Sequence, residues 1–171
     1  MRIENIKEEE YVGFEGEVIL ENWGCKVKVT FPTETKRIYA EKCAEYMQNM
    51  DSSIMQRLAK YSYRYFKEFE EILDDDDLDM PRDVLEAEIL EYVRPSVIIV
   101  EEDCREDRIE FHVECNCDWE IEHGLEFTIS DGKILYVGGF DDMPPYYAER
   151  LEYCGFYDEH DNMNMNYADK E

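Results

Sequence analysis

The feature that most constrains the fold is a strict alternation of apolar and polar residues between Arg108 and Ile121. Side chains of a β-strand point to opposite faces with a period of two, so this pattern predicts an antiparallel strand with one buried and one solvated face. Glutamate and aspartate dominate the polar positions, and the solvated face should therefore be acidic. The apolar set is Ile109, Phe111, Val113, Cys115, Cys117, Trp119 and Ile121.

Two more strands are predicted to follow and form a meander with the first. Apolar and polar residues alternate again over residues 125–130, and Asp131-Gly132 supplies the positive-φ positions that a two-residue hairpin turn requires. Residues 133–137 give the returning strand, which Gly138-Gly139 ends.

The segments before the meander predict a second hairpin and a group of helices. Residues 11–20 and 25–31 have strand character and form an N-terminal hairpin. From Lys36 the apolar spacing becomes three and four residues, which is typical of helices. Two helices follow as an antiparallel hairpin, with N-cap residues at 51–53. A short third helix is predicted over residues 84–92, and a strand over residues 97–100.

These segments predict one α+β domain spanning residues 1–171. Its mostly antiparallel sheet carries the helical hairpin and the short third helix on one face. The core should run from about residue 11 to residue 140. Residues 141–171 form a C-terminal extension that we expect to be partly loose, with a short helix over residues 146–153.

The charge balance restricts the classes of partner. The chain has 44 acidic and 18 basic residues, a net charge of −26, which argues against membrane surfaces and nucleic acid. It permits binding to a basic protein or imitation of a polyanion, although carboxylates that are merely solvated would give the same balance. No apolar run approaches the roughly 20 residues that span a bilayer, and the N-terminus has no apolar signal segment. We therefore expect a cytoplasmic protein whose six cysteines are free thiols.

A basic stripe on the second helix contrasts with the acidic remainder. Arg57, Lys60, Arg64 and Lys67 recur at 3-4-3 spacing, which places them on one helix face. Such a stripe could bind phosphates, but the net charge favours a solvated face or contact with acidic segments. Those acidic segments could belong to the same chain or to a second copy, so a homodimer is one alternative. Residues 73–79, which include four consecutive aspartates, lack the spacing and glycine of an EF-hand and indicate a solvated linker.

The first candidate site is the acidic strand face, formed by Glu110, His112 and Glu114. The two carboxylates favour the charged imidazole, and the group could hold a metal or a general base, although exposed strand faces of this kind are commonly structural. Cys115 and Cys117 point the other way and fit buried thiols better than half of a zinc site, which needs four ligands. The sequence therefore assigns no metal ligand and no cofactor.

The second candidate site is the corner between the first two strands of the meander, where Glu122-His123-Gly124 breaks the alternation. Gly124 indicates a backbone bend that glycine accommodates most easily. A carboxylate beside a histidine could serve in acid–base chemistry, but no nucleophile or oxyanion donor accompanies the pair. The structural alternative is a hydrogen-bonded bend in which Trp119 covers the core. The functional candidates at this corner are Asp118, Trp119, Glu120, Glu122 and His123.

The corner also carries a family resemblance. The word C-x-W-x-x-E-H-G-L begins at Cys117 and is followed by Asp131-Gly132-Lys133 and Tyr136-Val137-Gly138. This combination resembles an uncharacterised bacterial domain family, over about residues 23–140. The resemblance implies a fold and no catalytic residue. Small acidic domains of this kind are also similar to immunity proteins that neutralise toxins.

Taken together, these observations predict a non-enzymatic, acidic, cytoplasmic protein-binding domain, with an immunity-type inhibitor of a basic protein as its specific form. No catalytic residue is assigned. The alternative is a metal-dependent enzyme that uses Glu122, His123 and His112. That alternative requires at least three ligands to converge on one ion.

Overall fold

The computed structural model describes residues 1–72, 80–154 and 166–169. The predicted acidic linker at residues 73–79 and most of the tail lie outside this part of the chain. The described part forms a seven-stranded sheet with helices, which confirms the predicted α+β class with a largely antiparallel sheet.

The strands lie side by side in the order in which the chain forms them. Every neighbouring pair is antiparallel except β3 and β4, which are parallel. Successive antiparallel strands need only short connections, whereas a parallel pair needs a long crossover. The strands are β1 (Glu4–Glu9), β2 (Gly13–Leu20), β3 (Cys25–Phe31), β4 (Val93–Ile99), β5 (Glu110–Cys117), β6 (Leu125–Ser130) and β7 (Lys133–Gly138).

Two of the three described α-helices lie in the crossover between β3 and β4. This crossover contains α1 (Arg37–Gln48), α2 (Ser52–Ile72) and a 3-10 segment (Glu86–Tyr92). The Asp51 carboxylate begins α2 by accepting the backbone N–H groups of Ser53 and Ile54, at 2.8 and 3.0 Å. The two predicted helices are thereby confirmed as α1 and α2, and the predicted third helix is the 3-10 segment.

One face of the sheet forms the main core with the crossover helices. Phe111, Val113 and Phe127 are fully buried there, and Cys115 and Cys117 lie on the same face of β5, as the alternation predicted. From the helices, Leu58 and Phe66 pack into this core with no exposed surface. The core extends beyond the predicted limits, because Ile3 in front of β1 is also buried.

The opposite face of β5 and β6 is covered as well, and the prediction of a solvated acidic face is therefore wrong. Glu110 is 1% exposed, His112 is 0% exposed and Glu114 is only partly exposed. The cover consists of Met143 and α3 (Pro145–Cys154), which contacts β5, β6 and β7. Alternation correctly grouped these three residues on one face, but it could not show that a later segment packs over them.

Other sequence predictions differ from the structure at element ends. β5 ends at Cys117 instead of continuing to Ile121, because the chain bends away after Cys117. β4 begins at Val93 and includes Pro95, next to a register shift in its pairing with β5. β1 was not predicted as a strand, since its mostly exposed residues show no apolar alternation.

The last described residues cover the free edge of β7. The Tyr167 N–H donates to the Val137 carbonyl at 2.8 Å, and the Val137 N–H donates to Asn166 Oδ1 at 3.2 Å. Asn166 Nδ2 donates to the Leu135 carbonyl at 3.0 Å. Residues 166–169 thus pack against the sheet, although most of the extension predicted to be loose lies outside the described residues. None of the described helices is long and apolar enough to cross a membrane.

Candidate functional site

The corner between β5 and β6 is a closely fitted bend. Gly124 has φ +66°, and a Cβ atom added to it would lie 2.3 Å from the Cys115 carbonyl oxygen. The Gly124 N–H donates to the Glu120 carbonyl at 3.0 Å, which closes the turn. Only glycine satisfies both the dihedral angle and the close approach.

Two of the corner carboxylates make contacts that stabilise the bend. Glu120 accepts the backbone N–H groups of Glu122 and His123, at 2.9 and 3.3 Å, and lies 3.0 Å from His123 Nδ1. This hydrogen bond to Glu120 raises the pKa of His123. Asp118 forms a two-point ion pair with Arg94 of β4. Glu120 and Asp118 therefore hold the corner in shape.

Trp119 anchors the corner to the core. Its side chain is 2% exposed and packs edge-on against Tyr65 and Phe66 of α2, each with ring centroids 6.0 Å away. Buried aromatic pairs of this kind add about 0.5–1.5 kcal/mol beyond the burial of their area. The corner is thereby fixed to α2 as well as to the sheet.

The tip of the corner exposes an apolar side chain. Ile121 is 82% exposed, and Glu122 beside it is also exposed. Phe140, which is 36% exposed, lies next to the corner because its N–H donates to the His123 carbonyl at 3.3 Å. Exposed Asp141 follows directly. The corner therefore presents apolar groups with carboxylates near them.

The second group of polar side chains lies under α3 and was not predicted as a unit. Among the described residues, Glu101, His112 and Asp142 bring one potential ligand atom each to within 4.8 Å of one another. His112 is completely buried, Glu101 is partly exposed and Asp142 is exposed, so the group extends from the sheet to the surface.

Buried Glu126 holds this group in position through hydrogen bonds. Its buried Oε1 lies 2.5 Å from His112 Nδ1 and accepts the Met143 N–H at 2.9 Å, while Oε2 accepts the Asp141 N–H at 2.9 Å. One carboxylate therefore fixes the imidazole and both residues that flank Asp142. Glu126 on β6 pairs directly with Glu114 on β5. It therefore lies diagonally across from His112, which is two residues earlier on β5.

The charges around His112 favour its protonated form. Burial alone would lower its pKa, but the carboxylates of Glu101 and Glu126 raise it to about 9. The predicted effect of neighbouring carboxylates on this histidine therefore has the expected direction, although the groups responsible differ from the predicted pair. Glu110 instead pairs with Arg105 and accepts the Ser130 hydroxyl at 2.9 Å.

The structure does not unite the residues of the predicted metal-dependent alternative. Within the described part of the chain, Glu122 and His123 are outside the ligand cluster that contains His112. Sequence analysis missed Glu101, Glu126 and Asp142, because each lies on a different element from His112. Their proximity depends on strand register and on the loop after β7, which no local pattern encodes.

The basic stripe on α2 contacts the same chain. Lys60 and Arg64 each lie 2.7 Å from a carboxylate oxygen of Asp169, and Lys67 pairs with Glu70. Arg57 donates to the Gly132 carbonyl at 3.1 Å. This outcome matches the alternative in which the stripe contacts acidic groups of its own chain.

Cys25, Cys43, Cys104, Cys115 and Cys117 are free thiols, and all of these except Cys25 are buried. Burial raises the pKa of the Cys43, Cys104 and Cys117 thiols to about 12, and these thiols are therefore protonated at neutral pH. Cys115 and Cys117 pack as core residues, and neither belongs to the ligand cluster.

Comparison with known proteins gives a match to one protein family. The sequence profile of a domain of unknown function, DUF6985, matches residues 2–144, which include the corner and the Glu101–His112–Asp142 cluster. Neither the curated proteins nor the solved structures provide a significant match. The match to the profile covers most of the chain and agrees with the resemblance to an uncharacterised family. The chain belongs to the DUF6985 family of domains of unknown function.

Proposed function

We propose that this domain is a non-enzymatic protein-binding module of the cytoplasm, and that its corner binds a basic protein. The observation that carries the proposal is the exposure of Ile121, which is 82% accessible at the tip of an otherwise fixed bend. The hydrogen bonds of the bend hold the backbone on both sides of Ile121, so little backbone freedom is lost on binding, which reduces the entropic cost of association.

The surroundings of Ile121 favour a basic partner over an acidic or neutral one. Exposed Glu122 follows Ile121 in the chain, and exposed Asp141 follows Phe140, whose N–H donates to the His123 carbonyl of the corner. The chain as a whole carries a net charge of −26, so a cationic protein would be attracted over a long range at low ionic strength. An apolar centre with a polar rim is the usual arrangement of a protein–protein interface.

The chemistry of the corner supports an enzyme less well. Glu120 is committed to two backbone N–H groups and to His123 Nδ1. Asp118 is committed to Arg94. Carboxylates that are already fully engaged in holding a bend are poorly suited to transfer protons to a substrate. The metal-dependent alternative at Glu122 and His123 therefore has weaker support than protein binding.

The test compares two exposed isoleucines. The immobilised domain is used to capture proteins from a lysate, and captured basic proteins are purified and titrated against wild type, Ile121→Ser and Ile38→Ser. Ile38 is 68% exposed on α1 and is the matched control. We expect Ile121→Ser to weaken binding roughly tenfold or more, as loss of an interface anchor does, with little change for Ile38→Ser.

Salt dependence and charge provide the second part of the test. Binding should weaken as NaCl rises, because screening reduces attraction between exposed charges. Equal effects of the two isoleucine substitutions, or capture of acidic proteins alone, would overturn the proposal.

The more specific proposal is an immunity-type role, in which the basic partner is a toxin. If the captured protein is toxic on expression, co-expression of the wild-type domain should restore growth, and the Ile121→Ser variant should restore less. A partner without toxicity would leave protein binding in place and remove the immunity role.

A further inference from the structure

We propose that Glu101, His112 and Asp142 form a binding site for a divalent transition-metal ion such as Zn²⁺. One nitrogen and two carboxylate oxygens, one from each residue, lie within 4.8 Å of one another. In the tetrahedral coordination usual for Zn²⁺, with bonds near 2.0–2.2 Å, two ligand atoms lie roughly 3.3–3.6 Å apart. The most widely separated pair therefore needs to approach by at most about 1.5 Å, a movement available to the partly exposed Glu101 and exposed Asp142 side chains. This inference does not depend on the proposed protein-binding function.

The imidazole of His112 supplies the observation that points to a ligand. The side chain has no exposed surface, and its Nε2 atom makes no hydrogen bond. The Glu101 Oε1 atom lies 3.6 Å from Nε2, which is beyond hydrogen-bond distance. Glu101 is close enough to form an ion pair with the protonated ring, but buried polar atoms are nearly always hydrogen-bonded, so the missing hydrogen bond at Nε2 needs a further explanation. A metal ion bound there would take the place of the Nε2 proton, because a histidine ligand is neutral.

The other side of the imidazole has the partner expected for a metal ligand. Histidines that bind metals usually hold a carboxylate or carbonyl on the second ring nitrogen, which fixes the ring and its tautomer. Glu126 is in this position, 2.5 Å from His112 Nδ1, and is completely buried. His112 Nε2 is therefore the ring nitrogen left for a metal ion, on the side of the ring that faces Glu101.

The backbone at Asp142 is held in a conformation that brings its carboxylate to the cluster. Asp142 has φ +52°, which is uncommon outside glycine but is tolerated by aspartate. The flanking N–H groups of Asp141 and Met143 both donate to Glu126. Residues in sparsely populated conformations are concentrated at functional sites. Glu126 thus positions two of the three ligands together.

The donor set indicates the class of ion. Imidazole nitrogen suits zinc and neighbouring transition metals, whereas Ca²⁺ prefers six to eight oxygen ligands. Three protein ligands leave at least one coordination position for water or a further ligand, and partly exposed Glu101 and exposed Asp142 place that position at the surface. The site would therefore bind an ion that remains accessible from solvent.

The test uses four variants that each remove one negative charge from the whole protein. Zn²⁺ is titrated into metal-free protein in competition with a chromophoric chelator. We expect one Zn²⁺ per chain, with Glu101→Gln and Asp142→Asn each weakening its binding tenfold or more. Glu102→Gln and Asp141→Asn alter exposed neighbours outside the cluster and should change the affinity less than about twofold.

Two further measurements distinguish this site from others. The ¹⁵N resonance of His112 Nε2 should shift on Zn²⁺ addition, and His123→Ala should leave the affinity unchanged. Binding that is absent, that weakens equally in all four charge variants, or that is lost in His123→Ala would overturn the proposal. Circular dichroism of each variant checks that the fold is retained.

Discussion

Two glycines with nearly the same backbone angle allow the constraints on the corner to be separated. Gly124 has φ +66° and Gly24 has φ +63°, but a Cβ atom at Gly124 would meet the Cys115 carbonyl oxygen at 2.3 Å, whereas Gly24 has nothing within 4 Å. A substitution at Gly24 therefore introduces conformational strain alone. At Gly124 it adds a clash with backbone that cannot move without disturbing β5.

We expect Gly124→Ala to lower the free energy of unfolding by at least about 1–3 kcal/mol, the usual cost of a strained backbone site, and more than Gly24→Ala does. Urea unfolding followed by tryptophan fluorescence measures both variants, since Trp119 lies in the corner. Equal losses would mean that the Cys115 contact contributes nothing to stability.

Single residues also mark the limit of sequence analysis at the candidate sites. The positive-φ glycine at the corner could be predicted, because glycine between two alternating segments is a local signal. The hydrogen bonds of Glu120 could not, since several arrangements of the same carboxylates are compatible with the sequence. The partners of His112 come from three separate segments, and only the tertiary fold brings Glu101, Glu126 and Asp142 to it.

At the level of elements, the C-terminal segment is tied to α2 by charge. Asp169 lies 2.7 Å from both Lys60 and Arg64, and Arg64 also donates to the Tyr167 carbonyl at 3.0 Å. The hydrogen bonds from Lys60 and Arg64 lower the pKa of Asp169 from its ordinary value of 3.8 to about 2. The basic stripe of α2 therefore has a structural role in holding residues 166–169.

This ion-pair group predicts a specific pH dependence. Because the pKa of Asp169 is lower in the folded chain, its contribution to docking is present above about pH 4 and is lost as the pH falls through about 2. A ¹³C NMR titration of the Asp169 carboxyl should show the lowered pKa, and Arg64→Gln should move it toward 3.8. Arg37→Gln, which removes a cation that pairs with Glu34 and Glu41, is the control. An ordinary pKa in the wild type would contradict the prediction.

The elements differ in how much of each the sequence determines. The start of α2 and the β6–β7 turn follow from local chemistry, namely the Asp51 cap and the positive φ angles of Asp131 and Gly132. The 3-10 geometry of residues 86–92 and the strand β1 depend on packing against neighbours. The position of α3 over β5 is equally non-local, and it converts a face that alternation assigns to solvent into a second interior.

For the whole molecule, the dominant quantity is the net charge of −26. Like charges repel one another more when the chain is compact than when it is unfolded, so they destabilise the folded state. Dissolved salt screens this repulsion, with a Debye length near 30 Å at about 0.01 M and near 10 Å at about 0.1 M. We expect the melting temperature, measured by calorimetry, to rise when NaCl is increased over this range. A fall in melting temperature would mean that favourable ion pairs outweigh the repulsion.

Both edge strands of the sheet are protected against pairing with strands of other molecules. At β7, Asn166 and Tyr167 occupy backbone groups that another chain would need for adding a strand. At β1, charged side chains and an irregular register between Glu4 and Lys7 disfavour the same event. Strand donation and fibre growth are therefore both opposed at either end of the sheet. A sheet with protected edges can resist aggregation at high concentration, while the corner between β5 and β6 stays available for binding.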